Sequence, residues 1–214
     1  MTEWLAGLRR EHTTGAFADE DANPDPFEQF RLWLSDAHSS GVLQANAMTL
    51  STVDELGHPD ARVVLLKGFD KRGLVFYTHR TSRKGKQIAA HPYVALTFFW
   101  DILERQVRVL GSVEWTSDAE SDEYFHSRPR SSQLGAIVSN QSAVISGRHS
   151  LEESLAELEA STGEDRLTRP PAWGGYRVVP TEFEFWQGRP SRLHDRIRYV
   201  QDAEGSWVRE RLAP

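Results

Sequence analysis

Five short segments decide the architecture of this chain: AMTLSTV (47–53), ARVVLLKGF (61–69), GLVFYTH (73–79), YVALTFFW (93–100) and RQVRVLGSVEW (105–115). Each is rich in β-branched and aromatic residues, which suit a pleated, half-buried surface, so each reads as a strand. Turn-forming residues separate them at Asp54–Pro59, Asp70–Gly73 and His91–Pro92. Most of these connections are too short for parallel crossovers, which favours antiparallel pairing. Later in the chain WGGYRVVP (173–180), FEFWQG (183–188), RIRYVQ (196–201) and SWVRERL (206–212) read as short strands separated by turns, with Asp202–Gly205 a hairpin connection. The expected class is mainly β with α, an α+β fold. A closed barrel with helices packed outside would satisfy the many strand edges.

Helices fill the spaces between these strands. Phe27, Phe30, Leu34 and Ala37 follow helical spacing and Gly41 is a stop, which predicts a helix over 26–39. In TSRKGKQIAAH (81–91), Ser82 is a candidate N-cap. Ser117 and Glu120 form an S-x-x-E capping box ahead of DEYFHSRPR, and Pro129 should end that helix. A further short helix is expected over SSQLGAIVS (131–139). Leu151, Leu155 and Leu158 mark an amphipathic surface helix. Residues 1–23 are polar, with an acidic patch at Asp19, Glu20 and Asp21, and read as a mobile arm. No linker divides residues 24–214, which read as a single domain.

Composition narrows the function classes. The 214 residues carry a formal net charge of -6, which argues against bulk binding of nucleic acid. No apolar run approaches the roughly 18 residues needed to span a membrane, and the N-terminus lacks a signal-peptide core. Cysteine is absent, which excludes disulfides and thiolate metal sites. The histidines show neither H-x-x-x-H nor H-x-H spacing, so no metal site is expected. Cytoplasmic location is the default that follows. Only four lysines occur, Lys67, Lys71, Lys84 and Lys86, all in one stretch. They reflect either a bias toward arginine elsewhere or local positive potential for a phosphate.

Several constellations could carry chemistry. In RLHDRIRY (192–199), an extended backbone would place Arg192, His194 and Arg196 on one face, suited to an anion or an electron-rich ring. In RVVLLK (62–67), Arg62, Val64 and Leu66 share one face and Val63, Leu65 and Lys67 the other. The two cations are either strand-end charges in solvent or contacts to different groups. Tyr77 and Thr78 end a strand shortly before Ser82, Arg83 and Lys84 open a helix, whose free N–H groups and basic pair suit a phosphate. Gln106 could bond the edge of a heteroaromatic ring. Tyr124 and Arg128 share a helix face at i and i+4; with Ser132 they could clamp a phosphate. Gln141 and Ser142 lie in a polar loop, and Trp186 is a flat wall or core. With no G-x-S-x-G elbow and no acid/base carboxylate pair, the pattern points to a phosphorylated cofactor as the source of reactivity.

Taken together, RVVLLK, VFYTHRTSRKGKQI, LERQVRVLG, YFHSRPRSSQLGA, the NQS loop, WGGYRV, FEFWQG, RLHDRIRY and the terminal RLAP resemble the pyridoxine/pyridoxamine 5′-phosphate oxidase family, in that family's order. The resemblance covers most of residues 45–214. It implies an antiparallel split β-barrel that binds FMN, and a homodimer with FMN at the subunit interface. By position it assigns FMN contacts to Arg62, Val63, Val64, Leu65, Leu66, Lys67, Tyr77, Thr78, Arg83, Lys84, Gln106, Gln141, Ser142, Trp186 and Arg196. It assigns the substrate phosphate to Lys67, Tyr124, Arg128 and Ser132, and it places Arg192 and His194, the catalytic pair, over the pyridine ring. The implied reaction oxidises pyridoxine or pyridoxamine 5′-phosphate to pyridoxal 5′-phosphate, with O2 consumed and H2O2 released. A related flavin oxidase of phenazine-biosynthesis type, or a non-catalytic flavin or pyridoxal-phosphate carrier, are the alternatives. The arm departs from the family pattern. His12 stands where the family often has tyrosine in a lid, and Ala16–Asp21 is acidic where some relatives are basic. An imidazole between two arginines should resist protonation unless a phosphate or Asp195 compensates.

Overall fold

The structure, a computed structural model, describes residues 3–8, 12 and 15–214. Arg9, Arg10, Glu11, Thr13 and Thr14 of the expected arm lie outside the described residues. In chain order the elements are α1 (Glu3–Gly7), α2 (Pro26–Ser39), β1 (Ala47–Val53), β2 (Pro59–Leu65), β3 (Gly68–Asp70), β4 (Gly73–His79), α3 (Arg83–Ala90), β5 (Tyr93–Trp100), β6 (Arg105–Trp115), α4 (Asp118–Ser127), α5 (Arg130–Val138), α6 (Arg148–Thr162), β7 (Trp173–Gln187), β8 (Asp195–Gln201) and β9 (Trp207–Arg211). The strands pair in the order β2-β1-β5-β6-β7-β4-β3, with β8 on β7 and β9 on β8. The pairs β3–β4, β4–β7, β7–β8 and β8–β9 are antiparallel.

The chain forms two compact units. The first comprises Met1–Leu50, Ala95–Gly111 and Pro180–Pro214, the second Ser51–Val94 and Ser112–Val179. In the first, Asp25 caps α2 by accepting from the Phe27 N–H at 2.9 Å, with Pro26 in the first turn. This entry sets the helix so that Phe30, Trp33 and Ala37 are buried. Phe30 meets Phe98 at 5.0 Å, and Trp33 meets Phe185 edge-on at 5.3 Å. Phe17 joins this core at 4.9 Å from Trp33, and its N–H donates to Asp195 at 3.0 Å. In the second unit, Phe125, Leu134, Ala136, Leu167 and Trp173 form a core under α4 and α5. The Ser117–Glu120 capping box that starts α4 is present with both bonds.

Two expectations about strands are corrected. WGGYRVVP and FEFWQG are one continuous strand, β7, because Pro180 and Thr181 carry the extended backbone through. ARVVLLKGF is divided: β2 ends at Leu65 and β3 begins at Gly68, so Lys67 lies between strands, its N–H bonded to the Val75 carbonyl at 2.8 Å. The Asp202–Gly205 hairpin forms with Gly205 at φ 80°, a backbone region glycine enters without a Cβ penalty. Among the described residues, no helix is long and apolar enough to cross a membrane.

Candidate functional site

In the second unit, β4 delivers chemistry from both of its faces. Thr78 points one way. Its hydroxyl donates to Gln141 Oε1 at 2.8 Å, and Lys84 Nζ donates to the same oxygen at 2.9 Å. Lys84 is placed by Ser82, the expected N-cap, whose Oγ accepts from the Gly85 N–H at 3.3 Å and donates to the His79 carbonyl at 2.7 Å. Burial, with the positive charge of Arg62 next, holds Lys84 below the usual lysine range. Arg62 donates to Thr52 Oγ1 at 2.6 Å and to Gln87 Oε1 at 3.0 Å, and it pairs with Asp60 at 2.7 Å. Arg83 reaches the same Asp60 carboxylate at 2.8 Å. A hydrogen bond from Gln87, then the two arginines, keep Asp60 ionised below the usual carboxylate range. Arg83, Gln87, Gln141 and Ser142 line a cleft of about 730 Å³. Ser142 adopts φ 73°, a left-handed conformation that turns the NQS loop at the cleft wall.

The other face of β4 carries Tyr77. Its ring stacks on Tyr124 at 3.9 Å and lies 5.5 Å from Trp173. The Arg128 guanidinium sits over Trp173 at 4.8 Å. Arg128 is not on the helix with Tyr124, as the i, i+4 spacing predicted. It is the residue that ends α4, extended at φ -77° and ψ 151°, because Pro129 follows and disfavours a helical conformation before it. The two side chains are brought together through the Trp173 ring. Arg128 Nη1 is buried without a hydrogen-bond partner, and burial lowers the guanidinium's affinity for its proton. Ser132 lies in the first turn of α5, with its N–H on the Pro129 carbonyl at 2.9 Å. Lys67 lines a smaller cleft with Tyr77 and Arg177. Of the remaining β2 residues, Val63 is exposed while Val64 and Leu65 are half-buried, and Leu66, just past the strand, is buried.

The first unit holds the RLHDR residues. Here the extended-strand reading is overturned for two of three. β8 begins only at Asp195, whereas Arg192 lies in a short 3₁₀ turn (Pro190–Arg192) and His194 in the link between. Ser191 and Arg192 take left-handed φ of 56° and 61° in succession, which breaks the strand geometry. His194 lies 4.6 Å from Trp186, and its Nδ1 accepts the Arg189 backbone N–H at 3.1 Å. The neutral ring therefore carries its proton on Nε2. Burial, then His12, then Arg192 push His194 below the usual histidine range. The direction matches expectation, but burial leads and the second arginine takes no part. Arg196 is instead paired with Glu184 at 2.9 Å and donates to the Ala213 carbonyl at 2.8 Å. Gln106 is half-buried at the start of β6.

Sequence reasoning missed Trp173, Gln87, Asp60, His79 and His12 as parts of these surroundings, though His12 was noted as a departure. His79 is 7% exposed, its Nε2 lacks a partner, and burial lowers its pKa. Trp173 could have been found as the first residue of a strand whose register sets it opposite His79. The others carry no local signal, since their partners are distant in sequence. Among the described residues, no group of three His, Asp or Glu side chains could hold a metal ion.

Comparison with known proteins places the chain. The fold is that of the split-barrel proteins: a crystal structure of PhzG from Burkholderia lata, in complex with tetrahydrophenazine-1-carboxylic acid, superposes with a TM-score of 0.88 at 30% identity, covering 94% of this chain and 98% of that one. A pyridoxamine 5′-phosphate oxidase-related, FMN binding protein from Nostoc punctiforme shares the fold at TM-score 0.71 and 17% identity, covering 89% of this chain and 98% of that one. Residues 34–161 match the pyridoxamine 5′-phosphate oxidase family, and residues 173–214 match the pyridoxine 5′-phosphate oxidase C-terminal dimerisation region. The pyridoxine/pyridoxamine 5′-phosphate oxidases of Synechocystis and Rubrobacter xylanophilus are 52% and 53% identical to the chain. Each covers 98% of it, over 98% and 96% of their own lengths. The chain belongs to the pyridoxine/pyridoxamine 5′-phosphate oxidase family and is an enzyme, an oxidase of that family.

Proposed function

We propose that this chain, with FMN bound, oxidises pyridoxine 5′-phosphate or pyridoxamine 5′-phosphate to pyridoxal 5′-phosphate, with O2 reduced to H2O2 and, for the amine, water consumed and ammonia released. The observation that carries the reading is Arg128 Nη1. A buried guanidinium nitrogen without an acceptor is costly, and an anion such as a phosphate monoester would satisfy it. The donors also suit a flavin phosphate. Arg83 lines the 730 Å³ cleft at the start of a helix, and Lys84, the next residue, donates to Gln141 Oε1 in the cleft wall. FMN, when bound, supplies the hydride acceptor that no side chain here can provide.

The chain's own residues then divide the work. Thr78, Arg83, Lys84, Gln141 and Ser142, with Arg62 and the Val63–Lys67 segment, hold the flavin and its phosphate. Tyr77, Gln106, Trp186 and Arg196 complete the flavin contacts. Lys67, Tyr124, Arg128 and Ser132 bind the substrate phosphate, with Tyr124 and Arg128 fixed against Trp173. Arg192 orients the substrate ring, and His194, neutral, offers its Nε2–H to the ring's polar groups. The matched dimerisation region supports a homodimer, with FMN at the boundary between two copies. The phenazine-type reading is the weaker one, since relatives at 51–53% identity carry the pyridoxine/pyridoxamine 5′-phosphate oxidase name, whereas PhzG is 30% identical.

Two variants test the division. Arg128→Met should raise KM for the phosphorylated substrate on the order of 100-fold, the loss of a charge-assisted bidentate contact, with FMN still retained. Lys84→Met should weaken FMN binding, read by flavin fluorescence. Loss of FMN in Arg128→Met, with substrate KM unchanged, would contradict the assignment.

A further inference from the structure

His12 has no role among the residues assigned above, yet its ring lies within the RLHDR surroundings. It stands edge-on to His194 at 5.3 Å and to Trp186 at 5.6 Å, which makes a three-ring cluster with the 4.6 Å His194–Trp186 contact. Its Nδ1 lies 3.5 Å from the buried Glu104 carboxylate. Glu104 is itself held in a left-handed conformation at φ 52°, and its carbonyl accepts the Gly188 N–H at 2.8 Å. Gly188 leaves the space that the ring occupies: a Cβ there would come within 2.6 Å of His12 Nδ1. Gly15 and Phe17, further along the chain, are anchored. The Gly15 carbonyl accepts from Arg189 at 2.8 Å, and Phe17 is buried.

We propose that His12 is a positioning residue for His194: its ring walls the imidazole against Trp186 and so fixes the direction in which Nε2 donates. Among the described residues, the charged groups near the pair come from three segments. Arg189 and Arg192 come from the loop that carries His194, and Glu104 precedes β6. Asp195 at the start of β8 is already engaged by Arg189 at 3.4 Å and by Arg211 at 2.9 Å. Asp195 therefore does little to favour an imidazolium at His194. With Nδ1 occupied by the Arg189 N–H, the result is a ring fixed in direction and limited to donating from Nε2.

The inference rests on reading His194 as a substrate-side residue, and its test separates the two. In the FMN-loaded protein, His12→Phe keeps an aromatic ring against His194 and should leave plateau kcat near the wild-type value. His12→Ala removes the wall, and Gly188→Ala displaces it without altering residue 12. Both should lower plateau kcat on the order of tenfold, as loss of orientation does, with little change in KM, and both should shift the NMR signals of the His194 ring protons. Wild-type plateau kcat or unmoved His194 ring signals in both alanine variants overturns the wall. The NMR spectra need no turnover, so they stand even if the oxidase reading fails.

Discussion

Arg128 and Arg192 show how differently two arginines can be prepared for a ligand. Arg128 is desolvated over Trp173 with one nitrogen unsatisfied, so its binding energy is stored in the fold. Arg192 is exposed, and what prepares it is the backbone. Two successive left-handed residues, Ser191 and Arg192, keep it out of β8, a conformation that costs an L-residue roughly 1 kcal/mol each and persists where surroundings enforce it. Replacing Arg192 with Gln should cut kcat/KM on the order of 100-fold while FMN stays bound, as for removal of one preorganised charged donor. Steady-state kinetics with flavin absorbance checks this, and near-normal turnover would sink the role. Little at this scale was legible beyond residue identity. The alternation rule put Arg192, His194 and Arg196 on one strand face. That rule needs extended backbone, and Ser191–Arg192 does not supply it.

Elements were more readable, because capping and periodicity are local. The Ser82 cap, the Ser117–Glu120 box, the Pro129 break and the spans of β1, β4, β5 and β6 follow from neighbours in sequence. The exceptions turn on long-range contacts: β7 runs unbroken through Pro180, and Phe17 is buried within a stretch whose acidic composition spoke for solvent. The start of α3 is the element on which the flavin phosphate site depends. Gly85 packs so closely that a Cβ would lie 2.2 Å from the Arg80 carbonyl oxygen. Gly85→Ala should therefore push the helix N-terminus and Lys84 outward. It should destabilise the protein by about 1–3 kcal/mol, the usual cost of overpacking, and weaken FMN binding together with that loss. Denaturant unfolding and FMN titration on the same sample check it. Unchanged FMN affinity would mean that Lys84 is not placed by this turn.

For the whole molecule, the carboxylates set the response to acid. Asp60, Asp70 and Glu120 are held below their ordinary values, first by hydrogen bonds from Gln87, Arg72 and the Ser117 backbone respectively, and next by arginine charges. The unfolded chain then binds more protons than the folded one as pH falls. Their stabilisation is complete above about pH 4 and is lost below it. His79, buried and lowered, adds to the loss from about pH 6.5 downward, with the same sign. Thermal melts should show Tm falling gently below neutrality and steeply below pH 4; a Tm that is flat from pH 7 to pH 3 would contradict this. The class and strand content were legible because strand patterns and turns recur through the chain. The gathering of Thr78 and Lys84 with Gln141 depends on contacts between residues distant in sequence and was legible only by resemblance, while the stack of Tyr77, Tyr124 and Trp173 was not legible at all. The most direct test of the account mixes the FMN-loaded protein with pyridoxine 5′-phosphate, and separately with pyridoxamine 5′-phosphate, under air. The account predicts a rise in aldehyde absorbance matched by equimolar peroxide. A stable complex with neither product would contradict it.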